Sequence, residues 1–230
     1  MDRRDFSVYL VGTAAWGMQA AQAQGLAGIS DFDAGKGLKM ALETGATAAV
    51  KLLGRHDGFL GNPQVRIPLP GYLKDAARLL SALGQRQQVE ALETAMNRAA
   101  ESAVPRARSL LVDAARNMSV GDARKILAGG ETSVTEFFAG KTREPLGISF
   151  LPIVRQATSK VDLARKYDRI AGKAAGFGLV RQEDASVDQY VTRKALDGLY
   201  FMIGEEERKI RRDPVGSGSA LLQRVFGALK

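Results

Sequence analysis

The sequence predicts an all-α fold: a compact multi-helix bundle with one long extended, proline-containing connector at about residues 55–71. Apolar residues recur at spacings of three and four along most of the chain, the period of a helix that buries one face. Serine, threonine or aspartate stands before these stripes and glycine after them, as caps and stops do. Strand-like alternation is confined to Val65, Ile67 and Leu69, where Pro68 and Pro70 have no N–H to give a ladder. With 230 residues, 45% of them hydrophobic and 25% charged, the composition is that of an ordinary globular protein. A chain of this size buries roughly 70% of its unfolded surface, enough for one self-sufficient core.

The first stretch, MDRRDFSVYLVGTAAWGMQAAQAQG, reads as a targeting segment. Arg3 and Arg4 give a basic start, Phe6 to Ala15 a short apolar run, and Ala21-Gln22-Ala23 the small residues that a signal peptidase needs. The apolar part is too short for a bilayer core of ~30 Å, which takes about 20 residues. Residues 1–23 are therefore expected to be a signal peptide cleaved near Ala23, residues 24–230 a single helical domain, and the mature protein periplasmic. Arg3-Arg4-Asp5-Phe6 resembles the twin-arginine export motif but departs from it at Asp2, Ser7 and Val8, so general secretion stays open beside it.

Helices then follow in order. Leu38, Leu42, Ala46, Ala49, Val50 and Leu53 share a face that Gly54 ends, with Asp31 or Asp33 as the expected cap. Leu73, Ala76, Ala77, Leu80 and Leu83 make a second stripe. Val89, Leu92, Met96, Ala99, Ala100 and Ala103 make a third, and Pro105 suits the first turn of a fourth, with Leu110, Leu111, Ala114 and Met118. Ser119 with Asp122 reads as a cap, and Ser133 with Glu136 as a capping box that opens a short helix beyond Gly129-Gly130. Phe150, Leu151 and Val154 lie on a separate segment, and Asp162 caps the one after it. Ser186 with Gln189 opens a long helix to about Arg212 whose middle, ALDGLYFMIG, is apolar on nearly all sides. Ser219 caps the last helix.

The connector RHDGFLGNPQVRIPLPG carries the only histidine and three of the seven prolines. Some 17 residues is long for a link inside a compact domain. Its apolar alternation favours packed extended chain over a mobile lid, and the prolines lower the entropy cost of holding it extended. Several stretches, DGFLGNPQVRIPLPGYL, MNRAAESAVPRA, FLPIV, KYDRIAGKAAGFGLV and DQYVTRKALDGLYFMIGEEERKIRRDP, together resemble the bacterial domain-of-unknown-function family numbered 4197, over about residues 26–228. The resemblance implies an exported helical protein and brings no established activity and no functional residues. The lipid-attachment cysteine of some relatives is missing here.

The absence of cysteine excludes disulfides, a catalytic thiol and thiolate-bound zinc. With one histidine and no Gly-x-Ser-x-Gly elbow, a Ser-His-Asp triad has no support. DFDAGKG lacks the spaced ligands of a calcium loop, and AGKAAGFG does not fit a P-loop, so no metal site and no cofactor is expected. Glu205-Lys209 and Glu207-Arg211 read as ion pairs on a solvated last turn. Asn97, Arg98 and Glu101, at the edge of a buried stripe, form a candidate ligand-binding cluster or a hydrogen-bond network, and His56, Asp57, Asn62 and Arg66 could border a groove beneath the connector.

A formal net charge of +8 favours acidic partners. Between 141 and 181 there are nine Lys/Arg against three Asp/Glu, and Arg165, Arg169 and Lys173, with Lys166 beside them, fall on one helical face. That face is a candidate for anionic lipid, acidic glycan or an envelope protein, whereas export makes nucleic acid an unfavoured partner. The expectation is a non-enzymatic envelope binding module. The alternatives are a hydrolase of glycan or phosphoester that works through carboxylates and arginines, and a carrier of an apolar small molecule or lipid.

Overall fold

In the computed structural model, which describes residues 28–71, 86–119, 123–160, 185–229 and a few positions between them, the predicted stripes become seven α-helices and one 3-10 turn. There is no strand among the described residues. The helices are α1 (Asp31–Leu53), α2 (Arg86–Ala103), α3 (Ala107–Asn117), α4 (Ala123–Leu127), α5 (Ser133–Thr158), α6 (Val187–Arg212) and α7 (Ala220–Gly227), with the 3-10 turn Val104–Arg106 joining α2 to α3 through Pro105. The signal segment, the stripe from Leu73 to Leu83 and the Asp162 cap lie outside the described residues.

The apolar α6 is the centre. It packs most extensively against α5 and α1, while α2 lies on α5, α3 on α1, and α7 closes over α1. Leu38, Leu42, Leu53, Leu92, Met96, Leu111, Phe138, Phe150 and Phe226 are buried between them. Two glycines allow close approaches onto α1 and α6. A Cβ on Gly37 would stand 2.8 Å from Val225 of α7, and one on Gly198 2.8 Å from the Phe59 ring. Gly198 thus lets the connector seat a fully buried phenylalanine on α6, worth ~1.5–3 kcal/mol of apolar burial.

Local signals set most helix ends. Ser186 accepts from the Gln189 N–H at 3.3 Å and Ser219 from the Leu222 N–H at 3.4 Å, while Gly54 ends α1 as expected. Three expectations are corrected. Ser30 caps α1, taking the Asp33 N–H at 3.0 Å, and Asp31 and Asp33 sit in the first turn facing the helix dipole. The Ser133–Glu136 capping box does not form, because the N-cap is Thr132 and a carboxylate from α6 takes the free N–H groups. The two expected segments between Ser133 and Val154 are one helix of 26 residues that runs through Pro145 and Pro152. Both prolines are exposed, as are Lys141 and Ile148 four residues before them, so water can reach the carbonyls that lose a partner.

The connector is packed chain. Turns run to Val65 and extended backbone follows, with Val65, Ile67 and Leu69 buried and the Tyr190 hydroxyl donating to the Pro68 carbonyl at 3.0 Å.

Candidate functional site

Extended chain buried away from any sheet needs partners for its backbone. α2 supplies them along one face. The Asn97 side chain accepts from the Ile67 N–H at 2.8 Å and returns its amide to the Ile67 carbonyl at 2.9 Å, doing for this residue what a neighbouring strand would do. One turn on, Glu101 Oε1 accepts the successive N–H groups of Phe59 and Leu60 at 3.0 and 3.1 Å. Its other oxygen takes Arg98 Nη1 at 2.6 Å, and Arg98 Nη2 reaches Asp57 at 2.8 Å. His56 Nδ1 lies 3.1 Å from the second Asp57 oxygen, at the exposed end of this chain of contacts.

Asp57 has φ 62°, the only positive φ of a non-glycine among the described residues. The Arg98 hydrogen bond holds its carboxyl below the usual range. Arg98 is shifted up in turn, first by its bond to Glu101. Around the rim, Arg66 Nε donates to Glu93 at 2.9 Å, and Asn62 Oδ1 accepts the Gln64 N–H at 3.1 Å to shape the turn.

A second buried carboxylate sits on α6. Glu207 accepts the Val134 and Thr135 N–H groups at 3.2 and 2.8 Å and the Thr135 hydroxyl at 2.7 Å, so it caps α5 from another helix. Arg211 backs it at 2.8 Å and also donates to the Leu127 carbonyl at 2.9 Å. Glu207 is buried and Arg211 mostly so, not solvated as their sequence position suggests, and Glu205 pairs with Arg208 instead of Lys209. Nearby, the Tyr200 hydroxyl meets Thr142 at 2.7 Å, and burial pushes its pKa up to about 12.

Outside these clamps, a cleft of about 490 Å³ opens between the end of α1 and the start of α3. Val50, Gly54 and Pro105 form its apolar floor, and Thr47, Lys51, Arg55 and Arg108 complete its lining. None of these three cations has a hydrogen-bond or ion-pair partner for its side chain among the described residues. A further hollow of about 320 Å³ shares Thr47 and Arg108 and is bounded by the Arg116–Glu43 pair at 2.5 Å. A separate cleft of about 590 Å³ lies beside Met118, Ile126, Phe137 and Lys141.

The family model described as "Protein of unknown function (DUF4197)" matches residues 28–227. The chain belongs to that family. No curated protein and no solved structure matches it.

In this DUF4197 chain, the seven candidate ligand-binding residues, named from two separate stretches, come to one place, the junction of α2 with the connector. Asn97 and Glu101 are engaged by backbone there, and His56, Asp57 and Arg66 face outward. Glu93, four residues before Asn97 on the same face, belongs with them and was legible from that spacing. Of the expected basic face, Arg165 donates to the Ser159 carbonyl at 3.0 Å, and Lys166, Arg169 and Lys173 lie outside the described residues. Sequence reading missed the cations of the α1–α3 cleft. Their signal was an absence: no acid occurs in 44–56 or in 102–112.

Proposed function

We propose that this protein is an exported, non-enzymatic module of the cell envelope that binds an acidic component there. The observation that carries the reading is an asymmetry of charge. The buried acids Glu101 and Glu207 are engaged by backbone N–H groups and arginine, while Lys51, Arg55 and Arg108 border a cleft without acid partners. Acids held in this way are poor general acids or bases, because their lone pairs are already committed, which weighs against the hydrolase alternative. The basic face of Arg165, Lys166, Arg169 and Lys173 is kept as a second contact with the same acidic partner.

The test is retention of the mature protein on vesicles rich in phosphatidylglycerol and on pure phosphatidylcholine vesicles, at low and high salt. Retention confined to the anionic surface and weakened by salt is expected. Equal retention on both surfaces, or none on either, contradicts the reading. Export is tested by N-terminal sequencing of protein from its native host: a new N-terminus near Gln24 is expected, and an intact Met1 in the cytosol contradicts it.

A further inference from the structure

We infer that the α1–α3 cleft is the site of this binding, and that its ligand is the phosphate-bearing headgroup of an anionic phospholipid at the bilayer surface. The inference rests on the reading above and adds to it a place and a ligand class. Lys51 and Arg55 stand at the end of α1, and Arg108 begins α3 across the cleft from them. Three cations around one hollow whose lining holds no acid make a concentrated positive field, although Glu43 and Asp113 line the adjoining hollow that shares Arg108, and an anion at the bilayer surface meets that field within a Debye length.

The floor decides the class of ligand. Val50, Gly54 and Pro105 offer no side-chain donor or acceptor, so a polysaccharide hydroxyl would lose water there without replacement. A phospholipid matches both parts, phosphate on the cations and glycerol with the first acyl carbons against the apolar floor. Thr47 also lines the cleft, and a threonine hydroxyl can donate to a phosphate oxygen. Gly54 lets Pro105 pack closely beside it in the floor, because a Cβ there would stand 2.8 Å from the proline ring.

The experiment compares wild type, the triple variant Lys51→Gln/Arg55→Gln/Arg108→Gln and a charge-matched control, Lys125→Gln/Lys160→Gln/Lys209→Gln, in co-sedimentation with phosphatidylglycerol-rich vesicles. Helical circular dichroism and the thermal midpoint check folding. The triple variant is expected to bind about 10²-fold more weakly, from roughly fivefold per basic residue near the surface, while the control keeps most of its affinity. The charge-preserving pair Lys51→Arg/Arg108→Lys should bind as wild type does. Equal losses in triple variant and control would overturn the cleft as the site and leave the general acidic-partner reading standing. Failure of wild type to bind any anionic vesicle would remove both. Displacement from vesicles by glycerophosphate at concentrations comparable to the lipid, or a cleft-dependent preference for a soluble acidic polysaccharide, would overturn the bilayer headgroup as ligand.

Discussion

Glu101 on α2 and Glu207 on α6 each accept two successive backbone N–H groups from a segment far away in sequence, and each is backed by an arginine about one turn away on its own helix. The carboxylates are equally hidden, with side chains 6% and 4% exposed. Their arginines differ. Arg211 is 13% exposed and also bonds the Leu127 carbonyl, whereas Arg98 is 31% exposed and holds the exposed Asp57. When the carboxylate is removed, Arg98 can turn to water and keep Asp57, but Arg211 is left as a buried guanidinium beside an uncapped helix. The burial of the counter-ion, more than that of the acid, sets how much each clamp matters.

The largest effect is therefore expected from Glu207→Ala. Removing one partner of a buried pair costs about 3–5 kcal/mol, against about 1.5–3 kcal/mol for Glu101→Ala, which loses charge-assisted hydrogen bonds at a wetter site. Urea unfolding of the two variants measures the difference, and equal losses would break the comparison. Next comes Asn97→Ala. It strands the buried N–H and C=O of Ile67, for a loss of about 1–3 kcal/mol in the same assay.

The pH dependence sharpens the contrast on the α5–α6 side. Tyr200 ionises near 12 in the folded protein, above the usual value of 10. Its contribution is thus complete below pH 10 and is lost as pH rises towards 12. Tyr200→Phe should flatten that alkaline loss in unfolding measured across the window. The smallest effect belongs to the exposed end of the α2 clamp. Asp57 is held below the ordinary aspartate value of 3.8, so its contribution is present above that pH and lost only as pH falls through the lowered value. Replacing Arg98 by Gln should return the Asp57 titration, followed by NMR, to the ordinary carboxylate range.

Most of the bundle was legible because its signals are local. The apolar stripes of α1, α2 and α6, the serine caps at 186 and 219 and the stop at Gly54 need only neighbours along the chain. What failed was long-range. Ser133 and Glu136 have the spacing of a capping box, yet the Ser133 hydroxyl donates to the Ile126 carbonyl, and Glu207, more than 70 residues away, takes the Val134 and Thr135 N–H groups. Nothing in the run Glu205-Glu206-Glu207 marks its third member as the buried one except its phase against Ile203 and Ile210. Phe150, Leu151 and Val154 read as a separate segment, but Pro145 and Pro152 lie inside one continuous helix, which tolerates them with its proline face in water. Asn97 and Glu101 were found because polar residues at the margin of a stripe require partners. That those partners are the backbone of residues 59, 60 and 67 could not be read from α2 alone. The α1–α3 cleft joins residues about 50 apart, so neither half looks like a site alone.

We propose that the α2–connector cluster is architecture and that the α1–α3 cleft binds the acidic partner. Arg66 and Arg108 provide the matched comparison, one exposed cation in each region, the first paired with Glu93 and the second unpaired. The affinities of Arg66→Gln and Arg108→Gln for phosphatidylglycerol-rich vesicles should be measured side by side. A loss of about fivefold for Arg108→Gln with Arg66→Gln close to wild type is predicted. Equal losses, or a larger loss for Arg66→Gln, would contradict the account.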